Sequence, residues 1–245
     1  LSPEDIVESL NRFFSLMVEI IMERNGIVDK YIGDAIMAFF GAPVKHANDP
    51  EQATLAALEM LSALNTFNRQ QAETNSPEFR IGIGLNYGDV TIGNIGSDKK
   101  MDYTVIGDMV NLASRLEGLT KSLGAPIIVT EEVLDDGTGD GSEEQTEDRA
   151  EGRGEGRVER PAESDARLLR PLGEVMVRGR GKAVSIVEVL PGGDSEVHRR
   201  KRDDTEGFAE ALEKYWNKDF GGAVQIFDEI AERNPEDRAA AIYAG

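Results

Sequence analysis

The run Asp102-Tyr103-Thr104-Val105-Ile106-Gly107-Asp108-Met109-Val110-Asn111-Leu112-Ala113-Ser114-Arg115-Leu116-Glu117 changes its periodicity in the middle. Tyr103 to Ile106 are aromatic or β-branched, as in a short strand. Gly107 breaks the run. Apolar residues then recur at helical spacing from Val110 to Leu123, and Gly124 is a stop. A strand therefore passes through a glycine turn into a helix. Asn111 and Arg115 stand four apart on its opening turns and share one face. An amide and a guanidinium so placed can hold a ribose and an anionic phosphoryl group together. The plainer alternative is a solvated helix face, with Ala113 and Leu116 as core.

Upstream, Ser2-Pro3-Glu4-Asp5 reads as a helix start, with a capping hydroxyl, proline in the first turn and acids favoured by the helix dipole. Ile6, Leu10, Phe13, Met17 and Ile21 follow at spacings of three and four, and Asn25-Gly26 ends the helix. Ile27 to Phe40 gives two apolar runs split by Gly33-Asp34, which predicts a hairpin. A carboxylate at such a turn is fixed at a sheet end. That suits Mg²⁺, which takes few carboxylate oxygens beside those of substrate phosphates. A Gly-Asp pair is equally an ordinary turn. A second helix is expected from about Pro50 to Gln71. Strands are expected at Phe79–Leu85, Val90–Ile92, Tyr103–Ile106, Pro126–Thr130, near Val175–Val177, and at Val184–Leu190. Hairpins are frequent and helices do not alternate strictly with strands, which predicts an α+β fold with a mostly antiparallel sheet.

The 245 residues carry a net charge of −19, which argues against nucleic-acid or anionic-membrane partners, since both need a basic patch. The absence of cysteine excludes disulfides, thiolate nucleophiles and Cys-based zinc sites, and two histidines exclude a His-rich metal centre. No apolar run approaches the ~18 residues of a membrane span, and no signal peptide is evident. From Glu131 to Asp165, 14 acidic residues face four basic ones, so the charge is concentrated there. About Asp135 to Ala166 holds almost nothing apolar and is expected to be a disordered acidic insert.

Beyond it, Val177-Arg178-Gly179-Arg180-Gly181-Lys182 interleaves three cations with two glycines, a pattern suited to clamping a polyphosphate. Basic turns are more often merely solvated. Residues 191–204 read as a polar linker that includes His198-Arg199-Arg200-Lys201-Arg202. Residues 205–245 read as helical, with Ala223, Phe227 and Pro235 at the spacing of a tetratricopeptide repeat. A single repeat cannot bury its own apolar face, so this segment should dock on the preceding domain or continue further.

Taken in order, Lys30-Tyr31-Ile32-Gly33-Asp34-Ala35, Gly82-Ile83-Gly84-Leu85-Asn86-Tyr87-Gly88, Tyr103-Thr104-Val105-Ile106-Gly107-Asp108 and Val110–Glu117 closely resemble the class III adenylyl and guanylyl cyclase family. The resemblance covers about residues 1–190, the acidic insert apart. It implies a ferredoxin-like α+β domain, working as a head-to-tail homodimer with active sites at the interface. It further implies that Asp34 is one of two metal-binding aspartates, that Lys30 contacts the adenine ring, and that Thr104 reads its exocyclic amine. Asn111 would orient the ribose, Arg115 would stabilise the charged transition state, and Arg178 would grip the terminal phosphates. Guanylyl cyclases typically carry Glu and Cys where this chain has Lys30 and Thr104, so the pair resembles the adenylyl version common in bacteria. A lysine only donates, which suits the N1 acceptor of adenine and opposes the N1–H of guanine. The implied reaction is ATP to 3',5'-cyclic AMP and pyrophosphate, with two Mg²⁺ or Mn²⁺ ions per site, in the cytoplasm.

The family's first metal aspartate lies in a Phe-Asp-Ile-x-Gly-Phe type strand ahead of the first helix, and Leu1 falls after that point. The expectation is a piece of a longer protein, lacking the first sheet strand and inactive as written. Asp29 and Asp108 stand in reserve as carboxylates should it prove active. Two other readings are a guanylate cyclase and a non-catalytic cyclase-homology or tetratricopeptide-type interaction module.

Overall fold

The computed structural model describes residues 3–73, 76–134, 169–176, 183–192 and 195–245. The acidic insert and Arg178 lie outside the described residues. At the centre is β6 (Ile127–Thr130), all four residues of which are buried. It pairs in parallel with β3 (Ile83–Leu85) and antiparallel with β8 (Ala183–Val189), which pairs antiparallel with β7 (Leu169–Met176), giving the order β3-β6-β8-β7. A strand covered on both faces needs apolar residues at odd and even positions alike. Ile127 and Val129 pack with Ala57 and Leu61 of α2 (Asp49–Glu73) and with Val133 of α4 (Glu131–Leu134). Ile128 joins the opposite layer, with Leu112 and Leu116 of α3 (Asp108–Leu123).

The closeness of α3 to the sheet depends on two glycines. A Cβ at Gly84 would stand 2.3 Å from the Ala113 carbonyl oxygen, and one at Gly82 would stand 1.9 Å from the Thr120 hydroxyl. Backbone can approach backbone there only without side chains. A third apolar cluster joins α1 (Pro3–Glu23) to α2 through Phe13, Met17, Leu64 and Phe67, with Phe79 stacked 5.3 Å from Phe13. Ile6, expected on the same apolar face, is exposed.

The α+β class holds, and antiparallel pairing dominates, but the strands among the described residues form three sheets rather than one. β1 (Ile27–Ile32) with β2 (Ala35–Phe39), and β4 (Thr91–Ser97) with β5 (Lys100–Ile106), are separate two-stranded hairpins. The strand expected from Phe79 begins only at Ile83. The Asn68 side chain takes both backbone groups of Phe79, accepting from its N–H at 2.9 Å and donating to its carbonyl at 2.8 Å, so they join no ladder. β4 runs further than the sequence suggested, because Gly93 and Gly96 disguise its continuation.

The stretch expected to be a polar linker contains a helix. Residues Glu196–Asp203 form a helix, α5, followed by α6 (Thr205–Trp216), α7 (Phe220–Arg233) and α8 (Arg238–Ala244). Phe208, Leu212, Ala223, Phe227 and Ile230 share one core with Leu112, Leu116, Ile128, Leu172 and Ile186, so these helices bury their apolar face on α3 and the sheet. Charge secures the join. Arg170 and Glu188 face each other across β7 and β8 at 2.9 Å, Lys201 reaches Glu188 at 2.7 Å, and Arg170 also pairs with Asp237 at the cap of α8. All four side chains are fully or almost fully buried. Burial alone would raise the Asp237 carboxyl, but the hydrogen bond and charge of Arg170 outweigh it and hold it below its ordinary value. No helix among the described residues is long and apolar enough to cross a membrane.

Candidate active site

Lys30 and Thr104 come from different hairpins and meet at a third residue. The Thr104 hydroxyl donates to Asp29 Oδ2 at 2.8 Å, and the Lys30 ammonium stands 3.4 Å from the same oxygen. Thr104 is buried, the Asp29 side chain is 1% exposed, and the Lys30 side chain is 39% exposed. The cluster therefore has a buried base and an outward-reaching cation. A bulge makes this possible: the β1–β2 register slips between Val28 and Lys30, leaving Asp29 as the extra residue. A bulge interrupts strict in–out alternation and re-aims a side chain.

Asp34 sits on the β1–β2 turn next to Gly33, whose φ of 66° lies in the left-handed region that glycine tolerates best. Asp34 is exposed. Asn111 and Arg115 lie one turn apart near the start of α3, and both are exposed. Asn86 fixes that start. Its amide donates to the Met109 carbonyl at 3.0 Å, and its own carbonyl accepts from the Thr130 hydroxyl at 3.0 Å. The end of β3, the end of β6 and the first turn of α3 are thereby tied at one point.

Of the residues singled out in the sequence, Lys30 and Thr104 are thus brought together, Asn111 and Arg115 share one helix face, and Asp34 occupies a hairpin tip. Asp29, named in reserve as a carboxylate, meets Thr104 and Lys30 through Oδ2. Asn86 was visible only as part of a motif, because its role depends on two carbonyl and hydroxyl partners distant in sequence. Among the described residues no three carboxylates or imidazoles converge. The Asp34 carboxylate, exposed at a hairpin tip, is accessible to a hard cation that draws most of its oxygens from phosphates.

The chain is similar to known nucleotide cyclases. The chain is 31% identical over 189 residues to adenylate cyclase 1 of Rhizobium meliloti (strain 1021), covering 77% of this chain and 24% of that protein. It superposes on the crystal structure of the adenylyl cyclase CyaB from P. aeruginosa with a TM-score of 0.62, at 28% identity over 79% of this chain and 86% of that one. The guanylyl cyclase Cya2 gives 0.59, at 31% identity over 80% of this chain and 85% of that one. The chain spans about a quarter or less of the length of the curated relatives it matches. With residues 1–161 of 245 matching its pattern, the chain belongs to the adenylate and guanylate cyclase catalytic domain family.

Proposed function

We propose that the protein containing this chain is an adenylate cyclase, converting ATP to 3',5'-cyclic AMP and pyrophosphate in the cytoplasm as a homodimer. The observation that carries this reading is the meeting of Lys30 and Thr104 at one spot. The ammonium can donate to N1 of adenine, and the hydroxyl oxygen can accept from its 6-amine. Guanine presents the opposite polarity at both positions.

Asn111, exposed on the first turns of α3, orients the ribose by hydrogen bonding. Arg115, one turn on, stabilises negative charge developing around the α-phosphorus; such preorganised electrostatics is usually the largest part of barrier reduction. Arg178 grips the terminal phosphates. Asp34 is the residue that holds Mg²⁺ or Mn²⁺, two ions per site, which when bound would neutralise phosphate charge and lower the pKa of the ribose 3′-hydroxyl. In a two-fold dimer the interface is self-complementary, so Asp34 of one copy serves a site whose Lys30, Thr104, Asn111 and Arg115 come from the other.

The competing reading is a guanylate cyclase, favoured by the likeness to Cya2. Product formation by the full-length protein from ATP and from GTP separates the two. ATP should be preferred, and Lys30→Glu with Thr104→Cys should swing the preference toward GTP. Equal turnover of both nucleotides by the unmodified protein would remove the adenylate reading.

A further inference from the structure

We propose that Asp29 is a specificity-determining residue that fixes the hydrogen-bond polarity of Thr104 and the position of Lys30, through one carboxylate oxygen that accepts from Thr104 and attracts Lys30. The inference rests on Lys30 and Thr104 being the base contacts, and it assigns the residue that makes them discriminate.

A threonine hydroxyl has one proton and two lone pairs, and left to itself it can donate or accept. A free Thr104 would serve adenine by accepting from the 6-amine, and would serve guanine equally well by donating to O6. Asp29 removes that freedom. With its only proton committed to Asp29 Oδ2 at 2.8 Å, Thr104 can offer the base nothing but lone pairs. An ionised carboxylate is acceptor-only, so the direction of this bond is not reversible while Asp29 is charged. The same oxygen draws the Lys30 ammonium to 3.4 Å, which keeps a donor beside the acceptor. Donor and acceptor side by side form the complement of adenine's N1 and 6-amine, and face guanine's N1–H and O6 with like against like.

The local backbone supports a role beyond holding two hairpins together. Asp29 is the unpaired residue of a bulge, a device that interrupts the β1–β2 ladder. Its Oδ1 is buried without a hydrogen-bond partner among the described residues. The bulge sets that carboxylate where β5 brings the Thr104 hydroxyl to it, and the free oxygen leaves Oδ2 as the one that both base-reading side chains share.

The test compares ATP with GTP as substrates for the full-length protein, reading kcat and KM separately. Asp29→Ala should lower the ATP-to-GTP ratio of kcat/KM roughly tenfold, the worth of about one net hydrogen bond, chiefly by admitting GTP. In a Thr104→Val background, where there is no hydroxyl to orient, the same change should move the ratio much less. Asp29→Asn retains the size of the side chain and covers the case in which the alanine variant fails to fold. Its amide can donate to Thr104 and release the hydroxyl proton toward a base, so the ratio should again fall. If Asp29→Asn folds and depresses turnover of both nucleotides equally with the ratio unchanged, Asp29 is only a latch and the proposal is overturned. The unmodified protein is measured first: a preference for GTP at that stage overturns the reading of Lys30 and Thr104 themselves, whereas a preserved ATP preference that ignores Asp29 overturns this inference alone.

Discussion

Two groups of charged and polar side chains in this molecule obey opposite rules. Arg170, Glu188, Lys201 and Asp237 are buried and ion-paired with one another, and so fasten the C-terminal helices to the four-stranded sheet. Asp34, Asn111 and Arg115 are exposed on a hairpin tip and on the opening turns of α3. Charges taken out of water must be paired, or the desolvation cost outweighs what they contribute. Under the proposed function, the exposed group must stay accessible to a nucleotide. The cluster of Asp29, Thr104 and Lys30 lies between the two extremes, with a buried foundation and an outward cation.

Breaking the buried group should have the largest effect. Arg170→Ala leaves Asp237 and Glu188 buried with their shared cation gone, and it also removes the guanidinium lying 4.4 Å over the Phe208 ring. Removing one partner of a buried ion pair costs about 3–5 kcal/mol, enough to unfold a marginal domain. Chemical denaturation of the variant should show a loss of that order. A loss below about 1 kcal/mol would mean that the network contributes nothing net.

Breaking the exposed group should do the reverse. Arg115→Ala should leave stability within about 0.5 kcal/mol, as surface substitutions usually do, while reducing cyclic AMP formation about 10²–10³-fold. Asp34→Ala should be similarly inactive. Mixed together, the two inactive proteins should recover activity, because a mixed dimer contains one site with every residue intact. Demonstrated heterodimers without recovery would refute the shared-site arrangement.

The same contrast explains what could be read in the sequence. The hairpin around Gly33 and Asp34 and the strand–turn–helix through Gly107 were legible because period and punctuation are local. So were the candidate site residues, since each belongs to a contiguous motif. The buried network was not. Lys201 stands in a run of four consecutive cations, and such runs are ordinarily solvated, so nothing local shows that it meets Glu188 thirteen residues earlier. Its spacing from Val197 and Phe208 on the inward side of α5 and α6 was the available signal. Asp29 was obscured for a different reason. Strand alternation places it opposite Lys30, and only the bulge and the approach of β5 bring it to Thr104. Gly93 and Gly96 likewise weakened a strand that pairing with β5 completes.

A smaller effect comes from pH. His198, half-buried on α5, has its pKa lowered from 6.5 to about 4 by burial and by the neighbouring charges of Lys201 and Arg202. A depressed histidine is neutral in the folded state, while the unfolded chain takes up a proton below pH 6.5. Stability is therefore complete above that value and declines as pH falls toward 4. Undiscounted, such a shift is worth about 3 kcal/mol; solvent exposure reduces it to about 1–2 kcal/mol. The Asp237 carboxyl, held low, adds a second decline that begins only below about pH 4. Denaturation midpoints from pH 7 to 4 should fall for the unmodified chain and fall less for His198→Gln. Parallel pH profiles would show that His198 is solvated.

The smallest expected change tests whether the two regions are separable at all. Asp219 caps α7, its side chain accepting from the Gly222 N–H at 3.1 Å. Asp219→Ala should cost about 1 kcal/mol, which for a chain of this size is a melting shift of roughly 2–4 °C. The C-terminal helices do reach α3, for Lys201 Nζ donates to the Gly124 carbonyl at 2.7 Å and Arg238 to that of Lys121 at 2.9 Å. Both contacts lie at the far end of α3 from Asn111 and Arg115, and α5 and α8, not the first turn of α7, supply them. Well below the melting temperature, kcat for ATP should therefore stay within about twofold of the unmodified value, since a helix end frays locally while the packed core remains in place. A tenfold fall in kcat with the fold intact would mean that order in the C-terminal helices is transmitted along α3 to the site, and that the buried group tunes the exposed one instead of merely supporting it.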